Sequence, residues 1–280
     1  MQTASPSISF PPQRPRGRAR LTAAVVAYLA LAAVATGIAA HAQSTPTTTW
    51  LTGFSGAAPG PVPAPWHFTT LPNKKPTTFE VVRQDGKSVL KVDADDSYGN
   101  LVHPVRMALD GGATLAWRWR VDRFVEGADL HSRSGDDGAA KVCVFFALPT
   151  DRLSFGERAR LALARSATGE DVPSETLCYV WDEKEAKNTM LPNAFTRRIR
   201  MLVLESGPAG AGGWRSEKRN LLADYERAFA DEAGGLRPDM VGVAISADAD
   251  NTKDHGIAYF SDLDMQGAPA TSLMQATHAP

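Results

Sequence analysis

Four stretches of this 280-residue chain carry side chains that could do chemistry. The first is Leu115-Ala-Trp-Arg-Trp-Arg-Val121, with two tryptophans and two arginines in strict alternation. As a strand it points Trp117 and Trp119 one way and Arg118 and Arg120 the other. The tryptophans then read as core. The arginines are either solvated, paired with acids, or a fork for a carboxylate or phosphate. The second is Ser134-Gly-Asp-Asp-Gly-Ala-Ala-Lys141. Asp136 and Asp137 between glycines make an ordinary turn, and equally a source of ligand oxygens or partners for Arg118 or Arg120. Gly135 and Gly138 place the pair in a turn, so the expectation is an open cleft at the surface, with Lys141 beside it.

The third stretch is Gly213-Trp-Arg-Ser-Glu-Lys-Arg-Asn-Leu-Leu-Ala-Asp-Tyr225. Leu221, Leu222, Tyr225 and Phe229 recur at helical spacing, which predicts a helix over Glu217–Ala230 capped by Ser216. On that helix Glu217, Asn220 and Asp224 lie near one face. Arg219 joins Glu217 and Asp224 as a candidate ligand contact. The fourth is Ser246-Ala-Asp-Ala-Asp-Asn-Thr252. Asp248, Asp250 and Asn251 are candidate Ca²⁺ ligands. Lys253 stands where a calcium loop needs a glycine, so a strand-end turn that fixes local structure is preferred and no cofactor is otherwise implied.

Other chemistries are unsupported. The chain has no G-x-S-x-G, H-E-x-x-H, P-loop or dinucleotide glycine motif, and no histidine pair at helical zinc spacing. Cys143 and Cys178 are too few for a thiolate metal cage and sit within apolar runs. They read either as buried thiols or as a disulfide between neighbouring antiparallel strands.

Most of the positioning elements read as strands. Thr77–Val82, Ser88–Val92, Leu101–Met107, Thr114–Val121, Ala139–Leu148, Leu177–Trp181, Arg198–Glu205, Met240–Ala247 and Ile257–Asp264 are apolar or alternating and are split by turn residues. A helix is expected over Phe155–Arg165 with Ser154 as cap. Nine to eleven strands with one or two short helices predict a mostly-β, two-sheet antiparallel sandwich of jelly-roll type. A closed barrel is the competing architecture.

The N-terminus carries Arg14, Arg16, Arg18 and Arg20, an apolar run from Leu21 to Ala40, and Ala40-His41-Ala42 before Gln43. Those are the parts of a secretory signal, so residues 1–42 read as a signal peptide and the product as periplasmic or secreted. The single sandwich then spans 43–265, with Trp50–Pro65 a surface loop and 266–280 a disordered tail. No membrane span remains after cleavage. Removing four arginines from 30 basic residues leaves 26 against 31 acidic ones, which gives no electrostatic footprint for nucleic acid.

Taken in order, these stretches resemble a bacterial family without assigned activity, domain-of-unknown-function family 3047. The resemblance runs from about Trp50 to Asp264. It rests on Leu115–Val121, Gly135-Asp-Asp137, Tyr179-Val-Trp181, Trp214 with Glu217-x-Arg219-Asn220 and Asp224-Tyr225, and Ala247–Thr252 followed by Ala258-Tyr259. It implies an exported jelly-roll-like domain and supplies no catalytic residue. A longer insertion at about 152–172 makes that helix peripheral.

The leading functional reading is a periplasmic binding module for a carbohydrate or other small polar ligand, through Arg118, Arg120, Asp136, Asp137, Lys141, Glu217, Arg219 and Asp224. The rival is a glycan-acting enzyme with paired carboxylates among Asp136, Asp137, Glu217 and Asp224. A third is a structural or assembly partner in the cell envelope. Convergence of the polar residues on one cleft would mark a site; dispersal or burial as closed pairs would mark fold determinants.

Overall fold

Alternation of apolar and polar residues builds two facing sheets in the computed structural model, which describes residues 50–168, 172–231 and 235–270. The signal-peptide reading of 1–42 and the tail beyond Ala270 lie outside the described residues. Strands β1 (His67–Thr69), β2 (Thr78–Gln84), β3 (Lys87–Asp95), β4 (Tyr98–Met107), β5 (Thr114–Arg123) and β6 (Gly138–Ala147) precede helix α1 (Phe155–Thr168). Strands β7 (Glu175–Asp182), β8 (Met190–Pro192), β9 (Ile199–Ser206) and β10 (Arg215–Asn220) lead to helix α2 (Leu221–Ala228). The last three are β11 (Asp239–Asp248), β12 (His255–Phe260) and β13 (Asp264–Gln266).

One sheet has seven strands in the order β1-β4-β11-β6-β7-β9-β8. The other has six, β10-β5-β12-β3-β2 with β13 beside β5. The jelly-roll-like sandwich is therefore as expected, with one departure: β7 and β9 run parallel, so the sheets are not purely antiparallel. The strands missed from sequence are the short ones β1, β8 and β13, and β10.

The core lies between the sheets. Leu115, Trp117, Trp119 and Val121 of β5 meet Val142, Val144 and Phe146 of β6 and Leu177, Tyr179 and Trp181 of β7. Residues Leu51 and Phe54 of the Gly/Pro-rich approach are also buried there. Helix α2 closes one end with Leu221, Leu222, Tyr225 and Ala228.

The predicted helix over Glu217–Ala230 is corrected at its start. Residues Arg215–Asn220 pair with β5 as an antiparallel strand. Their polar alternation suits an edge, and Asn220, not Ser216, caps α2 by accepting from the Ala223 N–H. Glu217 and Asn220 thus point to opposite faces. Helix α1 matches its expectation: Ser154 and Glu157 form a reciprocal capping pair, and Phe155 and Leu163 project outward, as a peripheral insertion would. The chain stays ordered just beyond Gln266, where Ala108 N–H donates to the Ala268 carbonyl. The tail therefore does not loosen at 266.

Cys143 and Cys178 are direct cross-strand partners on β6 and β7, and a disulfide joins them with Cα atoms 4.0 Å apart. The bond lies on the outer side of the seven-stranded sheet among Leu130, Val180, Met201, Val203 and Ala244. With the cysteines 35 positions apart in the chain, Cys178→Ser should lower unfolding free energy by about 3–4 kcal/mol. Urea denaturation under non-reducing conditions measures this, and a change below about 1 kcal/mol would contradict it.

Candidate functional site

The eight candidate ligand residues fall into three separate groups. Asp136, Asp137 and Lys141 belong to a buried network at one end of the seven-stranded sheet. Asp137 is completely buried. Its Oδ1 accepts from the Asn251 backbone N–H and side-chain amide at 3.3 and 3.0 Å, and its Oδ2 from Thr252 N–H and hydroxyl at 2.7 and 2.8 Å. It ties the loop that enters β6 to the β11–β12 turn. Asp136 accepts from Asn193 at 2.6 Å. Lys141 Nζ donates to both Asp248 oxygens at 2.8 and 3.0 Å. The open-cleft expectation for the Asp pair is thus overturned. The glycines do make a turn, but the β11–β12 turn folds over it.

The three candidate calcium ligands each have another partner. Asp248 lies within β11 and is held by Lys141, Asp250 is held by Lys74, and Asn251 spends its amide on Asp137. Among the described residues no three acidic, His or Cys side chains are arranged for a metal ion.

The second group lies on the inner side of edge strand β10. Arg219 makes a two-pronged ion pair with Asp224 at 2.8 and 2.6 Å, and Tyr179 donates to the same carboxylate at 3.0 Å. Trp119 Nε1 donates to Glu217 at 3.2 Å. Burial raises the Glu217 carboxyl above its ordinary range; the Trp119 hydrogen bond opposes the rise and the charge of Glu205 adds to it. The buried Trp117 N–H has no acceptor among the described residues. Asp224 is closed off by its partners, whereas Glu217 is half-exposed at the sheet edge.

Arg118 and Arg120 form the third group, on the outer face of the six-stranded sheet. Neither pairs with Asp136 or Asp137. Arg118 lies over the Trp214 ring at 5.1 Å, and Arg120 over Tyr259 at 5.7 Å. Arg120 also makes a two-pronged contact with Asp122. Register extends this group into a row: Arg120 opposes Tyr259, Tyr259 opposes Lys91, and Lys91 opposes Glu80. Because Arg215 pairs with Trp119, one further step places Trp214 beside Arg120. The row crosses five strands, roughly 19 Å at the usual strand spacing.

At its far end the row opens into a polar cleft of about 250 Å³ lined by Lys75, Thr78, Glu80, Lys91, Asp93 and Asp95. Lys91 and His255 both bond Asp93 at 2.7 Å. Burial pushes the Asp93 carboxyl up, but these two hydrogen bonds outweigh it and hold the group below its ordinary value. Donors and acceptors therefore alternate along an open face. Sequence reading missed Glu80, Lys91, Asp93 and His255. Their period-two polar pattern within strands was visible, but not their alignment with Arg120.

A family model described as "Protein of unknown function (DUF3047)" matches residues 64–264. The chain belongs to this family. A search of curated proteins finds no match. Among solved structures, a family 11 carbohydrate-binding module from Clostridium thermocellum is similar at 10% identity and TM-score 0.37, covering 79% of this chain and 96% of that one. Endoglucanase 3 of family GH12 from Trichoderma harzianum is similar at 10% identity and TM-score 0.35, covering 74% and 99%. The adhesin domain of Lys-gingipain from Porphyromonas gingivalis is similar at 8% and 0.33, covering 77% and 96%. Likeness this slight carries no argument about what the DUF3047 chain binds.

Two predictions test the buried network. Asp137→Ala should cost about 3–5 kcal/mol, since it strands four donors in the interior. Urea unfolding with an unchanged slope measures this; a loss below about 1 kcal/mol would return Asp137 to an open cleft. The second concerns Asp248. Burial pushes its carboxyl up to about 6 against the pull of Lys141, with Asp137 and Asp136 adding to the rise. A carboxyl raised in the folded state takes its proton there before the unfolded chain does. Asp248 therefore contributes fully below about pH 4 and loses that contribution as pH rises through its folded value. The stability difference between the parent and Asp248→Asn should fall between about pH 4 and 7. A flat or rising difference would contradict the assignment.

Proposed function

We propose that this DUF3047 protein is an exported binding module for a glycan or similar polyhydroxylated ligand laid across the outer face of the six-stranded sheet. The row Trp214, Arg120, Tyr259, Lys91 and Glu80 carries the reading. Vicinal hydroxyls both donate and accept, and this face offers guanidinium and ammonium donors beside carboxylate acceptors in fixed register. Cation–π contacts with Trp214 and Tyr259 hold the Arg118 and Arg120 guanidinium groups in place before any ligand arrives, which reduces the ordering cost of binding. Export rests on the N-terminal pattern, and the protein recovered from the periplasm should begin at or near Gln43.

A second reading has one observation in its favour. Glu217 is a half-exposed carboxyl raised by burial, with the charge of Glu205 nearby. That is the condition of a proton donor in glycoside cleavage. One assay separates the two. Titration calorimetry against a panel of tetrasaccharides should show binding that weakens about ten-fold or more in Tyr259→Ala, or about 1.4 kcal/mol, with little change in Tm. Binding by no glycan, or binding indifferent to Tyr259→Ala and Trp214→Ala, would sink the face assignment. Release of reducing ends from the same panel, abolished by Glu217→Gln, would replace binding with hydrolysis.

A further inference from the structure

The charges on this outer face are unevenly spent. Arg120 is paired with Asp122, Lys91 with Asp93, Lys75 with Asp95, and Arg123 with Asp254. Arg118 and Lys218 are exposed and have no ion-pair partner among the described residues. They are close neighbours: Lys218 lies opposite Ala116 and Ser216 opposite Arg118, so the two cations sit diagonally across β5 and β10. At that relation long side chains reach each other, and like charges repel. Two acids lie near Arg118 by register, and both have other partners. Asp264 flanks Ala116 on β13, diagonal to Arg118, and accepts from Gln266. Asp262 follows Ser261, which bonds the Arg118 backbone, and its carboxylate accepts from Phe54 and Ser55. Lys218 lies two strands from Asp264, roughly 10 Å. Ala116 between these strands leaves a shallow floor, with Ser216 and Asn220 as neutral polar neighbours on the same face of β10. The other end of the row carries the opposite sign, through Glu80.

We propose that the β5–β10 end of this face receives an anionic group, so that the ligand is an acidic glycan bearing a carboxylate, such as a hexuronate. The inference rests on the glycan-binding reading above and adds its substrate class. The Arg118 guanidinium lies over the Trp214 ring and makes no side-chain hydrogen bond among the described residues, so its N–H groups can meet a planar carboxylate through two parallel hydrogen bonds. Lys218 adds a point charge at the same place. A neutral glycan would gain no charge-assisted hydrogen bond from either cation.

Titration calorimetry of the full mature protein with tetragalacturonate and with its fully methyl-esterified form tests this. The two share length and stereochemistry and differ in charge. The acid should bind about ten- to a hundred-fold tighter at low salt, the range of charge-assisted hydrogen bonds. The gap should close towards about 1 M salt, where exposed charges are screened. Arg118→Gln and Lys218→Gln should each narrow the gap by weakening the acid more than the ester, and Arg118→Lys should restore part of it. Equal affinity for acid and ester, with both lost in Tyr259→Ala, would overturn the acidic class and leave the glycan face standing. Preference for a sulfated neutral tetramer would overturn the carboxylate. Binding of none of them, nor of any glycan in the panel, would remove both readings together.

Discussion

The pleat of β5 separates the interior of this protein from its candidate binding face. Trp117 and Trp119 point inward and fill the space against Tyr179 and Trp181, while Arg118 and Arg120 point outward onto Trp214 and Tyr259. A slip of one residue would bury two guanidinium groups and expose two indoles. Neither β10 nor β12 could then keep its place, because each takes its register from β5. Burial of the tryptophans thus fixes the register that aligns Arg120, Tyr259, Lys91 and Glu80.

A second constraint acts at the end of the other sheet. Asp137 uses all its accepting capacity on Asn251 and Thr252, and Lys141 is matched by Asp248. Groups held this way cannot release their partners to a ligand without leaving charges in the interior, so this network fixes the β11–β12 turn. The turn leads directly into β12, which presents Tyr259. The buried polar network therefore bears on the outer face at a distance, by fixing where β12 starts.

Local patterns in the sequence were sound where one stretch decided the outcome. The β5 alternation, the Ser154 cap and the apolar runs around the two cysteines all stand in the structure. Errors arose where distant chain segments decided. Gly135-Asp-Asp-Gly138 has the composition of an exposed turn, and only Asn193, Asn251 and Thr252 bury it. Arg215–Asn220 is polar throughout and adjoins a true helix, so its pairing with β5 left no local trace. The row across the outer face joins residues between 80 and 259, and its alignment follows from non-local strand pairing that spacing along the chain does not encode.

The two kinds of charge pair also differ in what they allow. A closed interior pair such as Lys141–Asp248 is costly to break, because the partner left behind stays desolvated. An outer pair such as Lys91–Asp93 or Arg120–Asp122 stabilises by only about 0–1 kcal/mol, since water replaces either partner readily. Hydroxyls can therefore displace these outer contacts at small loss, and the fold does not depend on them. Arg118 and Lys218 go one step further: among the described residues they make no ion pair. A ligand of the kind proposed could therefore meet these two cations without displacing an ion pair, whereas the interior network would have to give one up.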